Sequence, residues 1–182
     1  MSMNLYKPMT ILFMFILTFS WVQANNNGEK INQEVNLAIE KFKKDVPGGN
    51  TFLKKVKGYL VFPKVYKGGL IIGGEYGKGA LRVQNKTKYF YSITSASAGY
   101  QLGAQSYSML IAFASDAALN NFINSNGWEA GVDGSIVISD WGKAKDITSI
   151  SYEKPIIAFV FGEEGLMAGV SIEGTKFEKI MP

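Results

Sequence analysis

The chain lacks two residue types on which most enzyme chemistry depends, because it contains no histidine and no cysteine. Without histidine, the usual general base, the usual metal ligand and the Ser-His-Asp arrangement are excluded. Without cysteine, disulfides, thiolate metal sites and the lipid attachment point of a bacterial lipoprotein are excluded. Only carboxylate, Ser–Lys or tyrosine chemistry is left for an enzyme, and no such group can be located in the sequence.

The remaining motifs do not complete a catalytic or metal site. The glycine-rich segment 73–79 lacks the Walker spacing, and no Ser or Thr follows its lysine. Glu163 and Glu164 are adjacent in a predicted turn, where both carboxylates are solvated. Asp133 and Asp140 do not have the spacing of a calcium-binding loop. The sequence therefore predicts a protein without catalytic residues, metal or cofactor.

Lysines are concentrated between residues 41 and 67, where Asp45 is the only acidic residue. Lysines bind lipid phosphates and aromatic side chains enter the headgroup layer, so this composition favours a surface that contacts lipid. The residues that we predict to bind lipid are Lys41, Lys43, Lys44, Lys54, Lys55, Lys57, Lys64, Lys67, Phe42 and Phe52. The alternative is an ordinary amphipathic helix whose apolar face packs on the protein and whose basic face is solvated.

The first 24 residues predict a secretory signal peptide. Lys7 supplies a positive charge ahead of the uncharged run Met9–Val22, and Ala24 suits a cleavage position. The run is shorter than the ~20 residues that a helix needs to cross a bilayer, and a retained anchor is the alternative. We expect an exported protein, periplasmic or peripheral to an envelope membrane, with residues 25–182 as a single domain. Its net charge of +4 is modest and no nucleic-acid-reading motif is present, so nucleic acid is not an expected partner.

Helical periodicity is confined to three segments. Gly28–Val46 has apolar residues at three- and four-residue spacing, which predicts an amphipathic helix. Thr51–Lys57 predicts a short second helix, and Asp116 is predicted to cap a third that runs to about Asn124. Two of the three predicted helices therefore precede the strands, and the third is inserted among them.

The rest of the chain reads as glycine-rich strands. Tyr59–Phe62 predicts a short strand that ends at Pro63, and Ala130–Ile138 predicts another strand. Pro155–Phe161 and Leu166–Ile172 predict a hairpin joined by a tight turn. The predicted fold class is α+β: a glycine-rich curved antiparallel sheet or partial barrel, with N-terminal amphipathic helices and one inserted helix.

Five short blocks, taken in order, resemble the SYLF family, a lipid-binding domain that also occurs as an actin-binding domain in yeast. The blocks are Lys57–Pro63, Lys67–Gly74 together with Gly77–Gly79, Ser95–Gly103, Gly131–Ser135 and Gly165–Gly174. The resemblance extends from about Phe52 to Ile180. The chain departs from it at Ile93-Thr94, where many relatives have an Ala-Pro pair.

The resemblance implies a non-enzymatic protein that binds phospholipid or a membrane surface, and it supplies no catalytic residues. Because the chain is expected to be exported in a bacterial setting, general lipid affinity carries over and actin is not an expected partner. The rival hypothesis is a structural or interaction protein of the cell envelope, which recognises a partner protein or a glycan through its sheet.

Overall fold

The computed structural model describes residues 27–69, 72–98, 104–140, 155–161 and 172–182. The helices are α1 (27–45), α2 (Gly49–Lys55) and α3 (Asp116–Asn124). The predicted cap of α3 is wrong by one position, because the hydroxyl of Ser115 accepts the capping hydrogen bond from the N–H of Ala118. The strands are β1 (Gly58–Gly69), β2 (Ile72–Val83), β3 (Lys86–Ala98), β4 (Ala104–Phe113), β5 (Trp128–Glu129), β6 (Val137–Asp140), β7 (Ile156–Phe161) and β8 (Lys176–Ile180). The predicted α+β class is confirmed, with the strands forming a curled half-barrel sheet.

The strand order within the described residues is β5-β8-β3-β2-β1-β4-β7-β6. Neighbouring strands are antiparallel except for β6 and β7, which are parallel. Helices α1 and α2 cover one face of the sheet, and α3 covers the other. Each face therefore has its own hydrophobic core.

Strand β1 shows why both faces need a cover. Successive side chains of a strand point to opposite faces. Leu60 and Phe62 are buried on the α3 side, whereas Tyr59 and Val61 are buried on the side of α1 and α2. A strand buried on both faces has a nearly continuous apolar sequence, as this one does.

The prediction that Pro63 ends the first strand is wrong, because β1 continues to Gly69. The pairing of β1 with β2 and with β4 shifts register next to Pro63, which marks a β-bulge. Proline has no N–H to donate, and a bulge releases that position from the hydrogen-bond ladder. The bulge lets the strand pass through a residue that normally interrupts it.

Two glycines of β2 allow the close approach at this bulge. A Cβ on Gly79 would overlap the carbonyl oxygen of Val61, and one on Gly77 would lie 2.7 Å from the carbonyl oxygen of Lys64. Both obstacles are backbone atoms, which cannot rotate away. Glycine is therefore required at these positions by the shape of β1.

The predicted strand Ala130–Ile138 is also wrong, because a turn divides it. Gly131 has a φ of 89°, in the left-handed region that favours glycine. The Asp133 carboxylate accepts a hydrogen bond from the backbone N–H of Glu129 at 2.7 Å, which closes the turn. The short strand β5 precedes this turn and β6 follows it.

Helices α1 and α2 are fixed to the sheet by aromatic packing and by hydrogen bonds. The rings of Phe42 and Phe52 each lie 5.3 Å from the ring of Phe159 on β7. At one side of α1, the Arg82 guanidinium donates a hydrogen bond to the Asn36 side chain at 2.7 Å. These contacts fix the position of α1, and with it the side of the helix that borders the candidate site.

Two predictions concern residues outside the described ranges. They are the signal peptide at residues 1–24, and the turn and most of the second strand of the hairpin at 162–171. Within the described ranges, no helix combines the length and the apolar character needed to span a bilayer.

Candidate functional site

A groove of about 630 Å³ lies between α1 and the β1–β2 pair. The helix supplies one wall and the two strands supply the other. The volume lies in the range of ~300–1,000 Å³ that is typical of small-molecule sites. It is the best candidate for a binding site in the described part of the chain.

The strand wall carries two tyrosines side by side. Tyr66 of β1 and Tyr76 of β2 are directly paired across the strands. Their exposed fractions are 56% and 48%, which is high for large aromatic side chains. The bulge at Pro63 brings Lys64 to the same wall.

The helix wall comes from one stripe of α1. Lys30, Glu34, Leu37 and Lys41 follow at four- and three-residue spacing, so they project from one side of the helix. Leu37 is 72% exposed, whereas the neighbouring Ile31 is buried at the base of the groove. An apolar side chain is thus displayed between charged ones along the groove.

The charge of the groove is mainly positive. Four lysines and one glutamate line it, and the lysines are Lys30, Lys41, Lys64 and Lys78. Lys41 is paired with Asp45 at 2.7 Å. The Lys64 ammonium lies 5.0 Å from the centre of the Tyr66 ring, a cation–π distance. No carboxylate of the described residues pairs with Lys30, Lys64 or Lys78, so their charges remain available to an anion.

The structure brings together only two of the ten predicted site residues, Lys41 and Lys64, in this groove. Lys54 and Lys57 line a separate cavity of about 350 Å³ beside the turn between β2 and β3. There Lys57 pairs with Asp116 at 3.2 Å.

The other surface lysines of the prediction do not line the groove. Lys43 pairs with Glu40 at 2.8 Å. Lys44 and Lys55 are exposed. The predicted basic residues are therefore spread over several surfaces.

The structure places both predicted phenylalanines in the core. Phe42 and Phe52 have no exposed surface, and they belong to the cluster that joins α1 and α2 to the sheet. Their rings stabilise the packing of the helices on the sheet and are not accessible to a ligand. Phe42 and Phe52 therefore fit the alternative prediction, in which the apolar face of the helix packs on the protein.

Lys67 is likewise removed from the surface. Its ammonium lies 3.1 Å from the carboxylate of Glu75, and the two side chains are 10% and 4% exposed. The hydroxyl of Tyr107 donates a hydrogen bond to the same carboxylate at 2.6 Å. Burial, and then the hydrogen bond to Glu75, raise the pKa of Tyr107. The Lys67 charge is therefore compensated inside the protein.

Several groove residues were not predicted from the sequence: Lys30, Leu37, Tyr76 and Lys78. Lys30 and Lys78 lie on either side of the predicted basic segment in the chain. Tyr66 and Tyr76 become neighbours through the register of β1 on β2, and this register is not specified by the residue types. The position of α1 against these strands also has no signal in the sequence.

No cluster of three or more potential metal ligands occurs among the residues with described positions. The residues that line the groove offer cationic and apolar contacts to a ligand. That combination suits an anion with an apolar part.

The comparisons with known proteins find similarity to one family model and to one bacterial protein. A model of the Ysc84 family, described as "Las17-binding protein actin regulator", matches residues 94–179. The chain is also similar to "Beta cell expansion factor A" of Aeromonas veronii, with 25% identity over 148 residues. That alignment covers 81% of this chain and 55% of the relative, so the chain spans about half the relative's length.

Proposed function

We propose that this chain is a member of the Ysc84 (SYLF) family, whose model matches residues 94–179, and that it is an exported, non-enzymatic protein that binds anionic lipid at a membrane surface. The matched residues run from β3 to β8 and form about half of the sheet. The groove is built mainly from residues before the match. The family thus supports a binding role, and the groove supports the chemistry of the ligand.

The observation that carries the proposal is the combination of charge and exposed apolar surface in the groove. Lysines near an anionic membrane contribute up to ~1 kcal/mol each. Tyrosine suits the membrane interface because its ring is apolar and its hydroxyl is polar. Lys64 and Tyr66 place both features within 5.0 Å of each other. Together they support a reversible contact with anionic lipid.

Vesicle co-sedimentation tests this proposal. The purified protein is mixed at low salt with vesicles of phosphatidylcholine alone or of phosphatidylcholine with phosphatidylglycerol. We expect sedimentation with the anionic vesicles only, and at least a tenfold loss of binding in 0.5 M salt because screening shortens the electrostatic range. Equal absence of binding to both kinds of vesicle at low salt would contradict the proposal.

Charge reversal distinguishes the contribution of the groove to vesicle binding from that of the net charge of the chain. The double variant Lys64→Glu/Lys78→Glu should reduce binding to anionic vesicles about thirtyfold, because it removes two contacts of ~1 kcal/mol each. The matched control is Lys54→Glu/Lys55→Glu, which changes the net charge equally on α2. An equal loss in both variants would assign the binding to net charge and not to the groove.

Export is the other part of the proposal, and it is supported by the signal-like residues 1–24. Expression of the full chain in a bacterium, followed by mass spectrometry of the envelope fractions, provides the test. We expect a mature form that begins at Asn25 outside the cytoplasm. Uncleaved protein in the cytoplasmic fraction would contradict export.

A further inference from the structure

We propose that the groove between α1 and the β1–β2 pair holds one long-chain fatty acid, with the acyl chain along its apolar walls and the carboxylate at its lysines. This inference rests on the proposed lipid-binding function and makes it more specific. A flat membrane contact requires a basic surface only, whereas a fatty acid requires a concave apolar site with a cationic rim.

The first argument is the position of the exposed apolar side chains. The described residues include eight large hydrophobic side chains that are exposed, and three of them line this one groove. They are Leu37 on the helix wall and Tyr66 and Tyr76 on the strand wall. Exposed apolar side chains that converge on one site mark a binding surface, whereas single scattered ones need no explanation.

The second argument is the shape of the site. At about 630 Å³ the groove has the size of a small-molecule site. Ile31 and Ala38 are buried at its base, so the apolar surface continues below the exposed side chains. A chain of methylene groups can bury its surface there without leaving a polar group unpaired.

The third argument is charge complementarity. Lys30, Lys64 and Lys78 line the groove without a carboxylate partner among the described residues. Glu34 adds one negative charge to the same rim. A carboxylate at these lysines satisfies them through charge-assisted hydrogen bonds, while the chain occupies the apolar walls.

Equilibrium dialysis with radiolabelled laurate tests the inference, and butyrate serves as the short-chain comparison. We expect saturable binding of one laurate per protein and at least tenfold weaker binding of butyrate, because butyrate has the same carboxylate but little apolar surface. Dodecyl trimethylammonium has a chain of equal length and the opposite charge, and it should not compete with laurate.

Two matched sets of variants locate the site. Tyr66→Ser/Tyr76→Ser should weaken laurate binding at least tenfold, whereas Tyr89→Ser removes an exposed tyrosine outside the groove and should leave it unchanged. Lys64→Ala/Lys78→Ala should also weaken it, and Lys54→Ala/Lys55→Ala should not. These side chains are exposed, and circular dichroism with urea unfolding checks that each variant folds.

The outcomes distinguish this inference from the proposed function. Vesicle binding without saturable laurate binding overturns the fatty-acid site and leaves the membrane contact standing. Laurate binding that the Tyr66 and Tyr76 substitutions do not weaken overturns the assignment to this groove. Absence of both laurate binding and vesicle binding in the unmodified protein overturns the proposed function as well.

Discussion

Two buried tyrosines of the same core cluster differ in what their hydroxyl groups contact. Tyr107 donates a hydrogen bond to the Glu75 carboxylate at 2.6 Å. The hydroxyl of Tyr91 is buried and has no hydrogen-bond partner among the described residues. A buried polar group without a partner has a desolvation cost that nothing offsets. A tyrosine hydroxyl therefore stabilises the fold at position 107 and destabilises it at position 91.

We predict opposite effects for the same substitution at these two positions. Tyr107→Phe should lower the free energy of unfolding by about 2 kcal/mol, since hydrogen bonds to charged groups contribute ~1.5–3 kcal/mol. Tyr91→Phe should leave it unchanged or raise it by up to about 1 kcal/mol, since the unpaired hydroxyl is removed. Urea denaturation of both variants measures the difference, and an equal loss of stability in the two would contradict the assignment.

Lys67 shows what the sequence could not provide at this scale. Its type and its neighbours predicted a surface lysine, because seven other lysines lie in the same segment. Its burial follows from the register that places Lys67 opposite Glu75 on β2. Register depends on the bulge and on the turn, and neither can be located from residue types alone. Lys41 and Lys64 were predicted from the same segment, and in the structure both are exposed and line the groove.

At the scale of elements, the bulge in β1 is matched by glycines in β2. The β1 backbone approaches β2 so closely that side chains are excluded at Gly77 and Gly79. Gly68 lies on β1 itself, and a Cβ there would have no atom within 4 Å. The steric requirement for glycine at Gly77 and Gly79 is therefore absent at Gly68.

We predict that Gly79→Ala is severely destabilising, whereas Gly68→Ala is nearly neutral. The added methyl group at position 79 meets the backbone of β1, and overpacking of this kind costs about 3 kcal/mol or more. The methyl group at position 68 meets open space, so its effect should stay within ~0.5 kcal/mol. Thermal unfolding of the two variants checks this, and similar melting temperatures would show that the bulge can relax.

The helices also show how far the sequence determined this fold. The spacing of apolar residues in Gly28–Val46 predicted α1 correctly, because amphipathic periodicity is a local property. The same spacing cannot say whether the apolar face meets a sheet or a lipid. In the structure Phe42 packs on Phe159 of β7, because this face of the sheet is also apolar and is buried by the helix. The groove lies between α1 and the β1–β2 pair, so it depends on how these elements are placed relative to each other.

At the scale of the whole molecule, the absence of histidine and cysteine determines the response to pH. No side chain has an ordinary pKa between about 6 and 9. Burial raises the pKa of Tyr107, Tyr91 and Tyr59 above the ordinary tyrosine value. Above pH ~10 the unfolded chain loses phenolic protons that the folded chain keeps. The folded state then binds more protons than the unfolded state, so stability falls as the pH rises.

We therefore predict a nearly constant free energy of unfolding from pH 6 to pH 9 and a decrease above pH 10. The slope should reach ~1.4 kcal/mol per pH unit for each tyrosine that stays protonated only in the folded state. Urea denaturation at pH 7, 9, 10 and 11 measures the profile, and Tyr107→Phe should reduce the alkaline slope. A stability that rises between pH 10 and 11 would contradict the direction of the shifts.

The place of β8 in the sheet determines when folding can finish. This strand pairs with β3, joining Phe90 to Ile180, ninety positions apart in the chain. Until β8 arrives, the edge of β3 offers its unpaired backbone groups to any other strand. Contacts between such distant residues also form slowly, because a long loop must close first. A nascent or refolding chain can therefore aggregate through the edge of β3 until β8 pairs with it.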